Sequence, residues 1–470
     1  MQQLVHRGPS CGPLREILTF PGEERYELER QPFNLAVDQR PKMIALPRNE
    51  REVIAAVRAA TDLELTIAPQ CSGHAASLLP SLEQTMLLRT DRMNGYGIDL
   101  GARRARVAAG VRWGELVPRA SRAGLAALHG TAPDVGVVGY TLTGGLSWYA
   151  RRHGLAVNNV VAAELVTADG QLRRVDHEHE PELFWALRGG GANFGIVTAL
   201  EFELVPAPEV FAGALFFPIE RADQILHAWR AWVATVPVEV TSVGRILRFP
   251  PLPQIPEPMR GNAFALVEFV CLGSESDGAE LVEPLRRLAP VIDTCRACRP
   301  ADIRDLHMDP PEPLPYEGGA HRLLDHLPAN AIEEVVGLLG AGSQSPLVTF
   351  EIRHLGGALA RQEPGQGALG TLRGLFATFG GGLTPDAAAM ASVREHLERL
   401  SAALAPYDSG YAFPNFALQP VDAQRLFPDS VLDRLRQIRA EVDPDGVFIA
   451  KHGLSASAHQ PIAHARRAHA

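Results

Sequence analysis

The sequence predicts an α+β protein with two domains. Its 470 residues exceed what a single hydrophobic core usually serves. Residues 1–208 alternate short apolar strands with helices, whereas from residue 209 the chain changes to a more open arrangement of strands and helices. The two prolines of Val205-Pro206-Ala207-Pro208 lie at the boundary between these two regions. We therefore place a domain boundary near residue 208.

The chain opens as a β-α-β unit. Residues 43–47 form an apolar strand, and Asn49 is placed to cap the next helix, with Glu52 at its third position. A second strand at 65–68 leads into Gln70-Cys71-Ser72-Gly73-His74, a loop of small residues that ends in histidine. Further strands are expected at 85–88, 105–109, 160–168, 172–175 and 196–204, and helices at 113–123, 148–153 and 181–187.

The most constrained backbone is the glycine-rich run from Thr131 to Leu146. Its four glycines, Gly136, Gly139, Gly144 and Gly145, interrupt what would otherwise continue as an apolar strand. Glycine allows φ > 0 and lets a ligand approach backbone N–H groups, so the run suggests a surface against a flat or anionic molecule. A buried turn in a β-rich core explains the same pattern, and the run alone does not decide between them.

A second glycine-rich stretch spans Arg188 to Thr198. A dinucleotide fingerprint needs a strand before its glycines and a helix after them. Here a helix at 181–187 precedes the glycines and a strand at 196–204 follows them. A Rossmann domain is therefore disfavoured, and a different cofactor cradle is needed.

The central region carries the candidate lid and substrate elements. Its proline-rich segment 249–259 and the loop 308–316 are candidates for a rim or lid. In the strand at 348–354, alternation places Glu351 and Arg353 on one face. Strands are also expected at 213–217, 241–248, 263–271, 375–379 and 411–417, and helices at 221–234, 279–288, 331–339, 387–404 and 430–442. Residues 455–470 lack periodicity and are predicted to be disordered.

Charge and cysteine content exclude several classes of function. The formal net charge of -9 gives no electrostatic reason to expect a nucleic-acid partner. No segment has the roughly 18 consecutive apolar residues of a membrane helix, and residues 1–15 lack the pattern of a secretion signal, so we expect a cytoplasmic protein. Five cysteines argue against a disulfide framework. The single CxxC of Cys295 and Cys298 cannot complete a zinc site, so no metal is expected.

Together these segments resemble bacterial members of the berberine-bridge-enzyme-like group. That group belongs to the FAD-linked oxidases of the p-cresol methylhydroxylase (PCMH) and vanillyl-alcohol oxidase superfamily. The motifs that carry the resemblance cover nearly the whole chain in the family's order: the loop ending at His74, Pro133-Asp134-Val135-Gly136-Val137-Val138-Gly139-Tyr140-Thr141-Leu142, Leu183-Phe184-Trp185-Ala186-Leu187-Arg188-Gly189-Gly190-Gly191, Asn193-Phe194-Gly195-Ile196-Val197, and Pro414-Asn415-Phe416.

The resemblance implies a two-subdomain PCMH-type FAD-binding domain and a substrate domain with an antiparallel sheet flanked by helices. The FAD-binding domain would comprise residues 1–208 and a returning C-terminal segment at 406–454, and the substrate domain residues 209–405. The implied cofactor-binding residues are Gln70, Cys71, Ser72, Gly73, His74, Asp134, Val135, Gly136, Val138, Gly139, Tyr140, Thr141, Gly144, Gly145, Gly191, Asn193, Gly195, Ile196, Val197 and Asn415.

In similar proteins the histidine at the position of His74 is bonded covalently to the flavin 8α-methyl group. A neutral imidazole is the nucleophile that this bond requires. Without the resemblance, a histidine after glycine in a loop is more often a surface or capping residue. Many relatives carry a second tether, a cysteine, where this chain has Ala132, so we expect no second link.

A second departure concerns the catalytic base. Relatives often present a tyrosine at the position of Phe413, and phenylalanine cannot accept a proton. Tyr411 lies two residues earlier and is one replacement, although a packing role explains it equally well. The resemblance makes Glu351 our first candidate for the base and Arg353 the partner that keeps it ionised. A structural ion pair on a sheet face accounts for these two residues equally well, and His307 and Tyr316 are weaker candidates.

The leading hypothesis is an FAD-dependent oxidase. It would transfer a hydride from an alcohol or amine-type carbon of a small molecule to flavin N5, with molecular oxygen as the final acceptor, and the candidate substrates are a secondary metabolite or a sugar. The alternatives are a flavoprotein cyclase or isomerase without net oxidation, and a resistance protein that sequesters a drug-like molecule. The sequence identifies neither the substrate nor the oligomeric state.

Overall fold

The protein is described by a computed structural model that covers residues 12–253, 255–449 and 454. Its first unit is a four-stranded sheet of order β1-β2-β4-β3, in which β2, β4 and β3 are parallel and β1 is antiparallel to β2. The elements of this unit are Gly12–Ile17 (α1), Leu18–Thr19 (β1), Tyr26–Glu29 (α2), Met43–Ala45 (β2), Glu50–Asp62 (α3), Thr66–Gln70 (β3), a 3-10 turn at Ala76–Leu78, and Thr85–Arg89 (β4). Asn49 caps α3 as predicted, since its side chain accepts a hydrogen bond from the N–H of Glu52 at 3.1 Å.

The second unit is an antiparallel five-stranded sheet of order β5-β6-β10-β8-β9. The predicted hairpin at Asp169-Gly170 joins β8 to β9, with Gly170 at φ +68. The elements are Tyr96–Asp99 (β5), Arg104–Ala108 (β6), Trp113–Arg122 (α4), Leu125–Ala126 (β7), Val137–Leu142 (α5), Ala150–His153 (α6), Val160–Val166 (β8), Leu172–Asp176 (β9), Pro181–Gly190 (α7), Ile196–Glu203 (β10) and Val205–Pro206 (β11), which pairs with β7.

The glycine-rich run contains a short helix that the sequence analysis did not predict. Residues 137–142 form the short helix α5, which begins after Gly136 and ends before a turn at Gly144 and Gly145. Its buried side chains are Val137, Val138, Thr141 and Leu142. This spacing of i, i+1, i+4 and i+5 marks one face of a helix. The apolar character of the run had concealed the helical period.

The central region is an antiparallel eight-stranded sheet. Its strand order is β15-β12-β14-β13-β18-β19-β17, and β16 also pairs with β12. Its strands are Val210–Pro218 (β12), Val240–Arg248 (β13), Ala263–Cys271 (β14), Ile292–Asp293 (β15), Arg296–Cys298 (β16), Tyr316–Leu324 (β17), Thr349–His354 (β18) and Phe376–Leu383 (β19). Its helices are Ala222–Val233 (α8), Glu275–Arg286 (α9), Ala329–Leu339 (α10) and Ala387–Leu404 (α11). The fold is therefore the predicted α+β arrangement with an antiparallel sheet flanked by helices.

One face of the eight-stranded sheet packs against helices and forms an apolar core. Phe269 of β14 and Phe350 of β18 point into this core, where they meet Trp229 of α8 and Leu400 of α11. The opposite face turns towards the N-terminal region, and there Val243 and Val270 pack in one cluster with Trp148 and Tyr149. The sheet thus separates a helix-covered face from a face that lies at the interface of the two regions.

The C-terminal segment ends in the helices Ala423–Leu426 (α12) and Asp429–Val442 (α13). The strand predicted at 411–417 is wrong: the backbone there is irregular, with a 3-10 turn at Pro414–Phe416. Proline has no N–H to donate to a ladder, and the N–H of Phe413 is taken by His321 Nε2 at 2.8 Å. Phe448 then pairs in parallel with Ile67 beside β3, so the segment rejoins the first sheet. The disorder predicted for 455–470 lies outside the described residues.

The longest element missed by the sequence prediction is β17. Gly318 and Gly319 lie within it, and glycine lowers strand propensity. Within the described ranges no helix is long and apolar enough to span a bilayer.

Candidate active site

The loop after β3 is fixed against the N-terminal region by a glycine. Gly73 has φ +82, and a Cβ there would lie 2.8 Å from Pro32, so no other residue fits without strain. The carbonyl of Ser72 accepts a hydrogen bond from the N–H of Phe33 at 3.0 Å. The His74 ring stacks on Phe33 with 4.0 Å between centroids and an interplanar angle of 15°. The loop therefore holds a half-buried histidine in a defined orientation.

Both ring nitrogens of His74 have close neighbours. Ser72 Oγ lies 2.8 Å from Nδ1, and Asp134 Oδ2 lies 3.1 Å from Nε2. Asp134 belongs to the glycine-rich run, so the two sequence motifs meet at this histidine. From the central region, the hydroxyl of Tyr316 donates to the carbonyl of His74 at 3.4 Å.

Two other predicted cofactor residues pack the loop in place. Gln70 is buried and exchanges hydrogen bonds of 3.1 and 3.2 Å with Gln39. A Cβ on Gly136 would lie 2.8 Å from Cys71 Sγ, so the loop and the start of α5 touch at this point. Burial raises the pKa of Cys71 to about 11, so its thiol stays protonated near neutral pH. These contacts support the loop rather than present a nucleophile.

A turn at the end of α5 is clamped by the C-terminal segment. Gly144 and Gly145 both have positive φ, at +125 and +78. Asn415 Oδ1 accepts from the N–H of Gly145 at 3.1 Å, and its Nδ2 donates to the carbonyl of Tyr140 at 3.0 Å. A Cβ on Gly144 would lie 2.6 Å from the ring of Phe413. The turn and residues 413–415 therefore form one unit.

The two glycine-rich stretches meet around a common cavity. A Cβ on Gly191 would lie 3.2 Å from Thr143, which follows α5. A small pocket lies between them and is lined by Pro69, Thr143, residues 189–193, Pro414, Phe427, Ile449 and Leu454. Gly195 packs against the main chain of Val166, and Ile196 and Val197 have buried side chains at the start of β10. Gly195, Ile196 and Val197 are thus packing residues that support the two glycine-rich stretches.

Several buried polar atoms of the glycine-rich run have no hydrogen-bond partner among the described residues. They are both carboxylate oxygens of Asp134, the hydroxyl of Tyr140 and the hydroxyl of Thr141. Buried polar groups are rarely left unsatisfied, so such a concentration indicates a ligand. Gly139 is exposed, and a Cβ there would meet no atom within 4 Å. Bare main chain, the unsatisfied hydroxyls of Tyr140 and Thr141 and a histidine at one end fit a cofactor with a flat ring and an anionic chain, as predicted for FAD.

A chain of five buried charged residues lies on the face of the eight-stranded sheet that turns towards this cradle. Arg353 binds Glu351 through two hydrogen bonds of 2.9 Å each. The ring of His307 bridges two carboxylates, with Nε2 2.8 Å from Glu351 and Nδ1 2.6 Å from Glu268. Arg245 ends the chain at 3.0 Å from Glu268. We call these residues the ionic chain.

The ionic chain fixes the protonation of its members. Burial and Arg245 act to lower the pKa of His307, but Glu268, Asp309 and Glu351 outweigh them and raise it to about 9. Burial would raise the pKa of Glu351, yet Arg353 and His307 hold it well below its usual range. Near neutral pH the chain is thus an alternation of three cations and two anions.

The structure brings Glu351 and Arg353 together, as the alternation in their strand predicts. Arg353 also lies over the ring of Phe416, 5.1 Å from its centroid. Sequence reasoning missed Glu268 and Arg245, although each is a charged residue whose two chain neighbours are uncharged and fit a buried strand. A charged residue at a strand position that is expected to be buried was the signal that could have identified them.

Tyr411 has contacts of a different kind. Its hydroxyl accepts a hydrogen bond from Arg373 Nη1 at 2.7 Å, and the guanidinium lies 4.3 Å from its ring centroid. None of its described contacts involves the ionic chain. Phe413, aligned with the missing tyrosine, is fully buried against Gly144. Among the described residues no group of three or more His, Cys, Asp or Glu side chains is placed to hold a metal ion.

Comparison with known proteins agrees with this geometry. Residues 41–176 match the family described as an FAD binding domain. The chain is 39% identical over 170 residues to (R)-6-hydroxynicotine oxidase of Paenarthrobacter nicotinovorans, covering 36% of this chain and 37% of that protein. It is 32% identical over 218 residues to the xylooligosaccharide oxidase of Thermothelomyces thermophilus, covering 46% and 44%. The chain thus spans about two fifths of the length of these curated relatives.

Likeness of fold extends over nearly the whole chain. The structure of BBE-like 1 from Physcomitrella patens superposes with a TM-score of 0.82 at 20% identity, covering 97% of this chain and 99% of that one. The protein therefore contains an FAD binding domain and has the berberine-bridge-enzyme-like fold.

Proposed function

We propose that the protein is an FAD-dependent oxidase of a small organic molecule. It would remove a hydride from an alcohol or amine-type carbon and pass the electrons to molecular oxygen. The observation that carries this proposal is the position of the ionic chain, which lies on the sheet face turned towards the glycine-bared cradle. The names of the relatives, a hydroxynicotine oxidase and an oligosaccharide oxidase, support an oxidase and favour it over a cyclase or isomerase.

The chain's own residues would hold the cofactor from two sides. The loop 70–74, the helix α5 with its terminal turn, and residues 191–193 supply main-chain and side-chain contacts, and His74 supplies the covalent link. Ala132 leaves no thiol for a second link. Bound FAD would supply the redox chemistry as a two-electron acceptor.

Arg353 is the member of the ionic chain that we place against the substrate. Its Nε and Nη2 bind Glu351, and its guanidinium plane over Phe416 presents a fixed positive charge. Such a charge would orient the oxygen or nitrogen of a substrate and stabilise negative charge there. Glu351 remains our candidate for the proton acceptor. Its low pKa keeps it ionised at neutral pH but also makes it a weak base.

The experiment is an anaerobic titration of the purified yellow protein with matched alcohols, amines and sugars, secondary metabolites included. Bleaching of the flavin absorbance, followed by hydrogen peroxide release when air is admitted, is the expected result. Turnover without oxygen uptake would indicate a cyclase or isomerase. Tight binding without a product would indicate sequestration.

Covalent attachment is tested separately by flavin fluorescence in a denaturing gel. We expect a fluorescent band for the natural chain and none for His74→Ala. Fluorescence that persists in the variant would exclude this attachment site.

A further inference from the structure

The neighbours of His74 differ at its two ring nitrogens, and the difference determines which nitrogen carries the proton. Asp134 Oδ2 lies 3.1 Å from Nε2, and a carboxylate only accepts hydrogen bonds. The hydroxyl of Ser72, 2.8 Å from Nδ1, is able to donate or accept. A lone pair on Nε2 would face the anion, so the neutral ring places its proton on Nε2 and its lone pair on Nδ1.

Among the residues that the structure describes, His74 alone forms an ion pair with the Asp134 carboxylate. Its side chain is 10% exposed, and neither oxygen accepts a well-directed hydrogen bond within the described structure. Leaving a buried carboxylate unsatisfied is costly, and that cost would fall if positive charge formed on the imidazole.

The ring of His74 is held so that the two nitrogens cannot exchange places freely. It stacks on Phe33 at 4.0 Å, and the preceding Gly73 is packed on Pro32. Its main-chain carbonyl also accepts from Tyr316. A ring flip would place Nδ1 against Asp134 and break the contact with Ser72.

We propose that Asp134 is the positioning residue for the covalent flavin link. It keeps the proton on Nε2, so that Nδ1 is the nucleophile, and it stabilises the imidazolium that forms as Nδ1 bonds to the cofactor. The inference rests on the proposed attachment of FAD at His74. It assigns a role to the residue between Pro133 and Val135 in the glycine-rich run.

The bond changes balance with dioxygen as the oxidant. The 8α C–H bond breaks and a bond from that carbon to Nδ1 forms. The two electrons released pass to dioxygen, which leaves as hydrogen peroxide with one proton from the methyl group and one from solvent. The Nε2 proton stays between the imidazolium and Asp134, and the Ser72 hydroxyl turns away from Nδ1.

The central test compares Asp134→Asn with Asp293→Asn. Asp293 is a carboxylate of β15 that accepts a hydrogen bond from Arg286 Nε at 2.7 Å, and it has no described contact with His74 or with the glycine-rich run. Each apoprotein is mixed with FAD in air, and covalent incorporation is followed by intact mass and by fluorescence in a denaturing gel. We expect Asp134→Asn to bind FAD non-covalently but to form the link at least about tenfold more slowly, the size expected when a charge-assisted contact is lost. Asp293→Asn is expected to match the natural chain.

A second variant and a chemical assignment keep the test decisive if Asp134→Asn folds poorly. Ser72→Ala removes the group that caps Nδ1, so the link should form at least as fast as in the natural chain. Nuclear magnetic resonance of the isolated flavin peptide should place the bond at Nδ1. A bond at Nε2, an equal rate in Asp134→Asn, or a link lost in Ser72→Ala would overturn the inference.

The outcomes separate this inference from the proposed function. A natural chain that is bleached by substrate but carries only dissociable FAD would overturn the attachment at His74, and the role of Asp134 with it, while leaving the oxidase proposal standing.

Discussion

Alternate residues of β13, β14 and β18 build two faces of one sheet, and the two faces differ in their chemistry. Phe269 and Phe350 point into a core closed by four helices, whereas their sequence neighbours Glu268 and Glu351 belong to the ionic chain. Both faces are buried. Burial alone therefore does not distinguish a core from a site, because the distinguishing feature is charge that is kept buried at a free-energy cost.

The largest effect is expected from breaking the ionic chain at its centre. Glu268→Ala removes the anion shared by His307 and Arg245, leaving two buried cations facing each other. We expect the free energy of unfolding to fall by about 3–5 kcal/mol. Urea denaturation at neutral pH measures it. A loss below about 1 kcal/mol is the range of surface ion pairs, and it would show that these charges are not shielded from solvent as their burial indicates.

Raising the pH should reduce the stability that the ionic chain contributes and leave the contribution of the apolar core unchanged. The pKa of His307 is raised from 6.5 to about 9. Its contribution to stability is therefore complete below pH 6.5 and is lost as the pH rises through about 9. A shift of this size corresponds to a decrease on the order of 3 kcal/mol in the free energy of unfolding. His307→Gln should flatten this part of the profile, and a natural chain that gains stability over the same pH range would contradict the assignment.

Adjacent residues of β18 allow a matched test of catalysis. Glu351→Gln should lower kcat/KM by about 100-fold or more, because it removes both the candidate proton acceptor and the charge that holds Arg353. Phe350→Leu changes the helix-facing neighbour and should leave kcat/KM within about threefold while lowering stability. Steady-state oxygen uptake with the best substrate measures both. Equal losses of activity in the two variants would indicate that Glu351 acts only through folding.

The smallest effect should come from an ion pair outside both faces. Glu283 of α9 pairs with Arg287, the residue that follows this helix, and their side chains are 48% and 75% exposed, respectively. Glu283→Gln should change the free energy of unfolding by less than about 0.5 kcal/mol. The same urea experiment provides the reference against which Glu268→Ala is judged. A change comparable to that of Glu268→Ala would remove the distinction between buried and surface pairs.

Local patterns predicted most of the fold because they depend on nearby residues. The cap at Asn49, the hairpin at Asp169-Gly170 and the alternation in β18 each follow from a few residues and are present in the structure. The helix α5 was missed because it has only six residues, Gly139 among them, which is too short to show a helical period. The strand expected at 411–417 failed because its backbone donors are bound by His321 and by the local turn.

The site was only partly predictable because its residues come from distant segments. Glu351 and Arg353 lie two residues apart, so alternation pairs them. His307 and Glu268 join them through pairing between strands and a long loop, which no local pattern contains. His74 and Asp134 are in contact although 60 positions of sequence separate them. Motif order implied that both residues serve one cofactor but not that they touch each other.

The most direct test of the account is a crystal structure of the protein with FAD bound. We predict an isoalloxazine between the turn at Gly144–Gly145 and the guanidinium of Arg353, with continuous electron density from its 8α carbon to Nδ1 of His74. A flavin whose ring lies away from the ionic chain would contradict the central claim that the sheet face and the glycine cradle form a single active site.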